Sequence, residues 1–191
     1  MKRTAIFGGT FNPPHIGHLF MADEILHLVD CDTVLFVPTH IPPHKSIEDP
    51  GPSIRYSMLA ESISAEDQMD LDDCEIGRSG VSYTIDTVRH LIKNGRIEPR
   101  PFLIIGDDLV DGFLSWKEPE ALGVECEILV VHRCFEERLK PKFPHTYVDN
   151  KVLPVSSTDI RARIKNGESW RYLVPTPARK KIEELRLYGL A

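Results

Sequence analysis

Long apolar runs are missing from this chain. Nothing approaches the roughly 20 consecutive apolar residues that cross a bilayer, so a membrane-spanning helix is not expected. Excess positive charge is missing too. Lysine and arginine total 23 against 29 aspartates and glutamates, and the formal net charge of -6 argues against a general DNA- or RNA-binding protein. Any cationic site must therefore be local. Cysteine is sparse, and Cys31, Cys74, Cys126 and Cys134 contain no C-x-x-C pair. Neither a zinc motif nor a redox motif is legible, and plain reduced thiols are expected. Internal repeats, low-complexity tracts and long linkers are also absent. Met1-Lys2-Arg3-Thr4 leads straight into a strand and leaves no room for the apolar region of a signal peptide, so the expected location is cytoplasmic.

What remains is an ordinary globular composition, 41% hydrophobic and 27% charged over 191 residues, enough for a substantial core. We expect a single domain over 1–191 with a small C-terminal subdomain at about 151–191. Strand-like and helix-like segments alternate from the start, which predicts a parallel sheet flanked by helices. The continuous apolar runs Thr4–Phe7, Thr33–Val37, Phe102–Ile105 and Glu127–Val131 read as strands buried on both faces. Met69–Ile76 reads as a more exposed strand, and Lys151–Val155 as a last short one. Helices are expected from Ile16 to about Val29, from about Ser53 to Ser64, and from Thr84 to a stop at Asn94-Gly95. Another begins at Ser156, where Ser156 and Asp159 have capping-box spacing, and a last follows Pro175 and Pro177. The segment 133–150 is polar and proline-interrupted; it reads as a loop with room for a short helix.

The stretch between the first strand and the first helix is Gly8-Gly9-Thr10-Phe11-Asn12-Pro13-Pro14-His15-Ile16-Gly17-His18. Its glycines permit a sharp turn, and it delivers two imidazoles to a helix N-terminus, where an anion is favoured. It lacks the lysine of a P-loop and the G-x-G-x-x-G of a dinucleotide fold. Taken alone, His15 and His18 are equally well read as capping or packing residues. In open parallel sheets ligands collect at the C-terminal ends of the strands, so this turn should converge with Thr39–Lys45 and with Gly106-Asp107-Asp108.

His15-Ile16-Gly17-His18 resembles the H-x-G-H signature of nucleotidyltransferases, and its surroundings resemble the bacterial nicotinate mononucleotide adenylyltransferases. The resemblance continues in order through Ile41-Pro42-Pro43-His44-Lys45, Ser82-Tyr83-Thr84, Ile104–Asp108, Trp116, Ser156–Arg161 and Leu187–Leu190, essentially the full chain. It implies a Rossmann-like parallel sheet of the nucleotidyltransferase type with a small C-terminal helical part. The implied reaction transfers AMP from ATP to nicotinate mononucleotide, giving nicotinate adenine dinucleotide and pyrophosphate, with Mg²⁺ accompanying ATP.

By the same resemblance, Gly8, Gly9, Thr10, Phe11, His15, His18, Ser156, Ser157 and Arg161 would bind ATP, with His15, His18 and Arg161 at the reacting phosphates. His44, Lys45, Tyr83, Thr84, Asp108 and Trp116 would bind the mononucleotide. Asp107 is expected to vary, and local sequence also accommodates either aspartate as a helix cap. Asn12 departs from a position where many members carry Asp, so no metal ligand is assigned. The attacking phosphate is already anionic, which accounts for the missing protein nucleophile: alignment and charge neutralisation are what the reaction needs. ATP and the mononucleotide are the expected partners, with no nucleic acid and no membrane, and a homo-oligomer is left open. Two other readings stay available. One is a related adenylyl- or cytidylyltransferase acting on a different phosphate; the other is a nucleotide-binding regulator without turnover.

Overall fold

The structure is a computed structural model that describes residues 2–41, 50–134 and 137–190. Its centre is one 6-stranded sheet of β1 (Thr4–Gly9), β2 (Thr33–Pro38), β3 (Met69–Leu71), β4 (Phe102–Gly106), β5 (Glu127–Val131) and β6 (Thr146–Val148). All neighbours are parallel and the order is β3-β2-β1-β4-β5-β6. The helices are α1 (Ile16–Leu28), α2 (Pro52–Ile63), α3 (Cys74–Arg78), α4 (Thr84–Lys93), α5 (Pro119–Glu125), α6 (Ser157–Asn166) and α7 (Thr176–Glu184).

Alternate residues of each strand feed opposite faces of the sheet, and both faces are covered. Ile6, Leu35, Val37, Leu103, Ile105, Ile128 and Val130 pack with Ile85, Val88 and Leu91 of α4 and Leu122 of α5. Ala5, Val34, Phe36, Phe102, Ile104, Leu129 and Val131 pack with Met21, Ala22 and Ile25 of α1 and Leu59 of α2. That double coverage is why the strands are apolar without polar alternation. A third cluster joins Met58 of α2 to Ile160, Ile164, Trp170, Val174, Ala178 and Ile182, and so fastens the C-terminal helices to the body.

Three expectations need correction. Lys151–Val155 is not a strand: Pro154 has no N–H to donate, and the Val155 N–H turns back to Leu153 O at 2.7 Å. The sixth strand is Thr146–Val148, inside the segment expected to be a loop. Met69–Ile76 does not continue as a strand either. It stops at Leu71, where the Asp72 carboxylate accepts the Cys74 N–H at 2.9 Å and starts α3. Helix α5, with Pro119 at its first turn, was not read from the sequence at all. The expected cap holds, because Ser156 Oγ accepts the Asp159 N–H at 3.1 Å. All four cysteines are free thiols, and only Cys134 is exposed. Among the described residues no helix is long and apolar enough to cross a membrane.

Candidate active site

Strands β1 and β4 lie side by side where the strand order reverses, so the turns that leave them open a crevice between them. A cavity of about 1110 Å³ occupies this position. Its wall includes every described residue of the expected set: Gly8, Gly9, Thr10, Phe11, His15, His18, Tyr83, Thr84, Asp108, Trp116, Ser156, Ser157 and Arg161. His44 and Lys45 lie outside the described residues.

The β1 turn is held by donors reaching it from other elements. Its carbonyls at Thr10, Asn12 and Pro13 accept from Arg55 Nη1 at 2.5 Å, Arg161 Nη1 at 2.7 Å and Ser157 Oγ at 2.9 Å. Gly9 in the turn and Gly17 at the start of α1 leave little room for a side chain. A Cβ on Gly9 would stand 3.1 Å from the Phe11 ring, and one on Gly17 would stand 3.1 Å from His15 Nδ1. The glycine of H-x-G-H is thus the floor on which the first imidazole lies.

The His15 and His18 rings stack with centroids 3.6 Å apart. His18 Nδ1 accepts the His15 backbone N–H at 3.1 Å, which assigns the ring proton to Nε2. His15 is buried, and neither of its ring nitrogens meets a partner among the described residues. Burial, reinforced by the Arg133 charge, lowers the His15 pKa from 6.5 to about 3. Burial, His15 and Arg133 hold His18 well below the usual histidine value as well. Both are therefore neutral hydrogen-bond donors at neutral pH rather than fixed cations.

This has a consequence for acid stability. Unfolded histidine takes up a proton below about 6.5, whereas folded His15 does so only near 3, so in that window the unfolded state binds more protons. Stability should accordingly fall as pH drops. A thermal midpoint that declines between about pH 7 and about pH 4, less steeply in His15→Gln, is the expected calorimetric result.

On the opposite wall, Ser156 is the N-cap of α6 and Ser157 is tied to Pro13, so each hydroxyl already has a structural partner. Arg161 donates to Asn12 O and, at 3.3 Å, to Thr158 Oγ1, and makes no ion pair with a carboxylate among the described residues. Its charge remains available to an anion. Asn12 is buried, and its Oδ1 accepts from Tyr188 Oη at 2.7 Å. On the α4 side of the cavity, Thr84 opens the helix, Trp116 lies half-buried against Phe113, and Lys117 bonds both Asp86 oxygens at 2.8 Å. That pairing offsets a negative charge in the first turn of α4.

A family model described as cytidylyltransferase-like matches residues 6–163. The Borreliella burgdorferi protein named "Probable nicotinate-nucleotide adenylyltransferase" is 46% identical over 187 residues, covering 97% of this chain and 96% of the relative. The Bacillus subtilis nicotinate-nucleotide adenylyltransferase is 40% identical over 190 residues, covering 98% and 99%. The chain belongs to the nicotinate-nucleotide adenylyltransferase family. A solved structure of the Plasmodium falciparum nicotinic acid mononucleotide adenylyltransferase complexed with NaAD superimposes with a TM-score of 0.81 at 19% identity, covering 100% of this chain and 99% of that one, a match in fold.

Three residues of the cavity wall, Arg133, Lys117 and Glu75, and Arg55 just behind it escaped sequence reasoning. Arg133 Nη1 pairs with Asp108 Oδ2 at 3.2 Å, and buried Asp107 accepts the Arg133 and Cys134 N–H groups at 3.1 and 3.0 Å. Asp107 thus joins the ends of β4 and β5 rather than capping a helix. The available signal for Arg133 was its place just beyond a buried strand. For Arg55 it was a charge on the face of α2 that carries Met58 and Leu59. Glu75 Oε1 accepts from Thr87 Oγ1 at 2.7 Å, while Oε2 has no partner among the described residues.

Proposed function

We propose that this chain transfers AMP from ATP to the phosphate of nicotinate mononucleotide, forming nicotinate adenine dinucleotide and pyrophosphate. One observation carries the assignment of roles: a single cavity takes in the His15–His18 turn, Arg161 and the α6 N-terminus on one side, and Thr84, Trp116 and the α4 N-terminus on the other. Family membership supports the reaction.

An oxygen of the mononucleotide phosphate attacks the α-phosphorus of ATP. The bond from that phosphorus to the bridging oxygen breaks, and pyrophosphate leaves with the electron pair. The nucleophile is anionic at neutral pH and needs no base; what limits the reaction is holding two polyanions in line. His18 Nε2–H and His15 supply neutral donors, and Arg161 supplies the charge opposite them. These groups are held by the fold before reaction, so they stabilise developing charge without reorganising.

Mg²⁺ enters as part of the ATP substrate. Among the described residues no group of three His, Cys, Asp or Glu side chains would cage it, and Asn12 Oδ1 is occupied by Tyr188. Such a donor set suits an ion that keeps phosphate oxygens and water in its shell.

At the ring site, the N–H groups that open α4 favour a carboxylate over a neutral carboxamide. Trp116 supplies a face for the pyridinium ring. Pyrophosphate release measured with nicotinate mononucleotide, its amide counterpart and pantetheine phosphate tests the reading. The acid should exceed the amide in kcat/KM by about 5- to 30-fold, as a helix-terminus preference of about 1–2 kcal/mol requires, and pantetheine phosphate should be inert. Equal use of acid and amide would overturn the ring site, and turnover of pantetheine phosphate alone would overturn the acceptor.

A further inference from the structure

The two halves of the cavity are bordered by different stretches of chain. Thr10 belongs to the turn after β1. Thr39 and His40 belong to the loop after β2, which leads to the ring site because the Ser82 N–H donates to Ile41 O at 2.9 Å and Ser82 Oγ accepts the His40 N–H at 3.3 Å. Ser82 stands just ahead of α4.

Arg55 joins these stretches from beneath. Its side chain is fully buried on α2. Nη1 donates to Thr10 O at 2.5 Å, and Nη2 donates to Thr39 O at 2.7 Å and His40 O at 3.3 Å. No carboxylate among the described residues pairs with it directly, and its Nε has no partner there. Glu75, which holds Thr87 of α4, acts on it only through space. Burying a guanidinium without an ion pair is costly, and an apolar residue would ordinarily fill such a position at lower cost. The planar fork, in contrast, has a task no apolar or single-point side chain performs: it fixes the spacing of two loops through carbonyls of both.

We propose that Arg55 is a positioning residue that couples the phosphate turn to the ring-site loop, so that an anion seated at the first orders the second. This rests on the adenylyltransferase reading above. Lysine at this position keeps the charge but replaces the two-armed fork with a single nitrogen; methionine removes charge and fork together.

The test is hydrogen exchange on the full chain with α,β-methylene ATP as probe, together with steady-state kinetics and thermal midpoints. In the wild-type protein the analogue should slow exchange in peptides covering 8–18 and in peptides covering 36–41. In Arg55→Lys only the first set should respond, and kcat should fall about 10²-fold while the KM for ATP moves by less than about 3-fold. A purely structural role predicts a lower midpoint with normal kcat per folded molecule. Arg55→Met is read in the same way if the lysine variant does not fold. Protection of 36–41 that is equal in variant and wild type, or absent in wild type, overturns the coupling. A wild-type chain that neither binds the analogue nor releases pyrophosphate overturns the adenylyltransferase reading and this proposal with it. Wild-type turnover with unchanged Arg55→Lys kinetics overturns this proposal alone.

Discussion

Replacing His18 with alanine is expected to reduce kcat by about 10²–10³-fold, the usual consequence of removing one preorganised donor to developing charge, equivalent to about 2.7–4 kcal/mol. The Nε2–H is the group lost at the cavity. Nδ1 has a separate duty, accepting the His15 N–H at the start of α1, so alanine also leaves that backbone donor without its acceptor. His18→Asn separates the two effects, because its amide oxygen stands near the position of Nδ1. The asparagine variant should keep a near-wild-type thermal midpoint and still lose turnover. Near-normal kcat in either folded variant would remove His18 from the reaction.

Removal of Arg161 should be comparably damaging but should divide differently between kinetic parameters. Its guanidinium borders the cavity while one arm holds Asn12 O at 2.7 Å. A charge-assisted contact to a polyphosphate contributes both to binding and to the transition state. Arg161→Met should therefore raise the KM for ATP about 10-fold and lower kcat about 10²-fold, judged by what phosphate-clamping cations contribute. Arg161→Lys should recover part of the KM defect, since charge returns, and little of kcat, since the two-point geometry does not. Values within about 2-fold of wild type for Arg161→Met, measured by pyrophosphate release, would mean the phosphates sit elsewhere.

Arg55, Arg133 and Arg161 together resolve an apparent conflict in a chain of net charge -6 that handles two polyanions. Arg133 at the end of β5, paired there with Asp108, and Arg161 of α6 line one cavity with Arg55 of α2 just behind it, while other arginines pair with carboxylates on the surface, as Arg89 does with Glu118 and Glu125 and Arg96 with Asp70 and Asp72. Average composition is silent about such a concentration of charge.

Much of the architecture could be read from local pattern. Uninterrupted apolar strands alternating with amphipathic helices already imply a parallel sheet covered on both faces, because such strands have no face to offer water. The turn from Gly8 to His18 marked one end of that sheet as a candidate anion site, and the reaction implied by the family resemblance accounted for the lack of an evident protein nucleophile. Where local signals were weak, the reading failed. Thr146–Val148 is only three residues long and becomes a strand because β5 offers it a parallel edge, while the proline in Lys151–Val155 denies that segment the same pairing.

By itself, then, the sequence determined the fold class, the H-x-G-H turn and the order in which the candidate residues meet the sheet. These depend on periodicity, turn chemistry and motif spacing, all properties of near neighbours along the chain. Only tertiary structure decided that Asn12 faces Tyr188 across 176 residues, that Arg55 is buried between two loops, and that Arg133 stands near enough to the histidines to help keep them neutral. Hydrogen bonds between distant segments and the loss of solvent around a charge are set by which surfaces close on one another, and that is encoded in the packing of the whole chain rather than in any stretch of it.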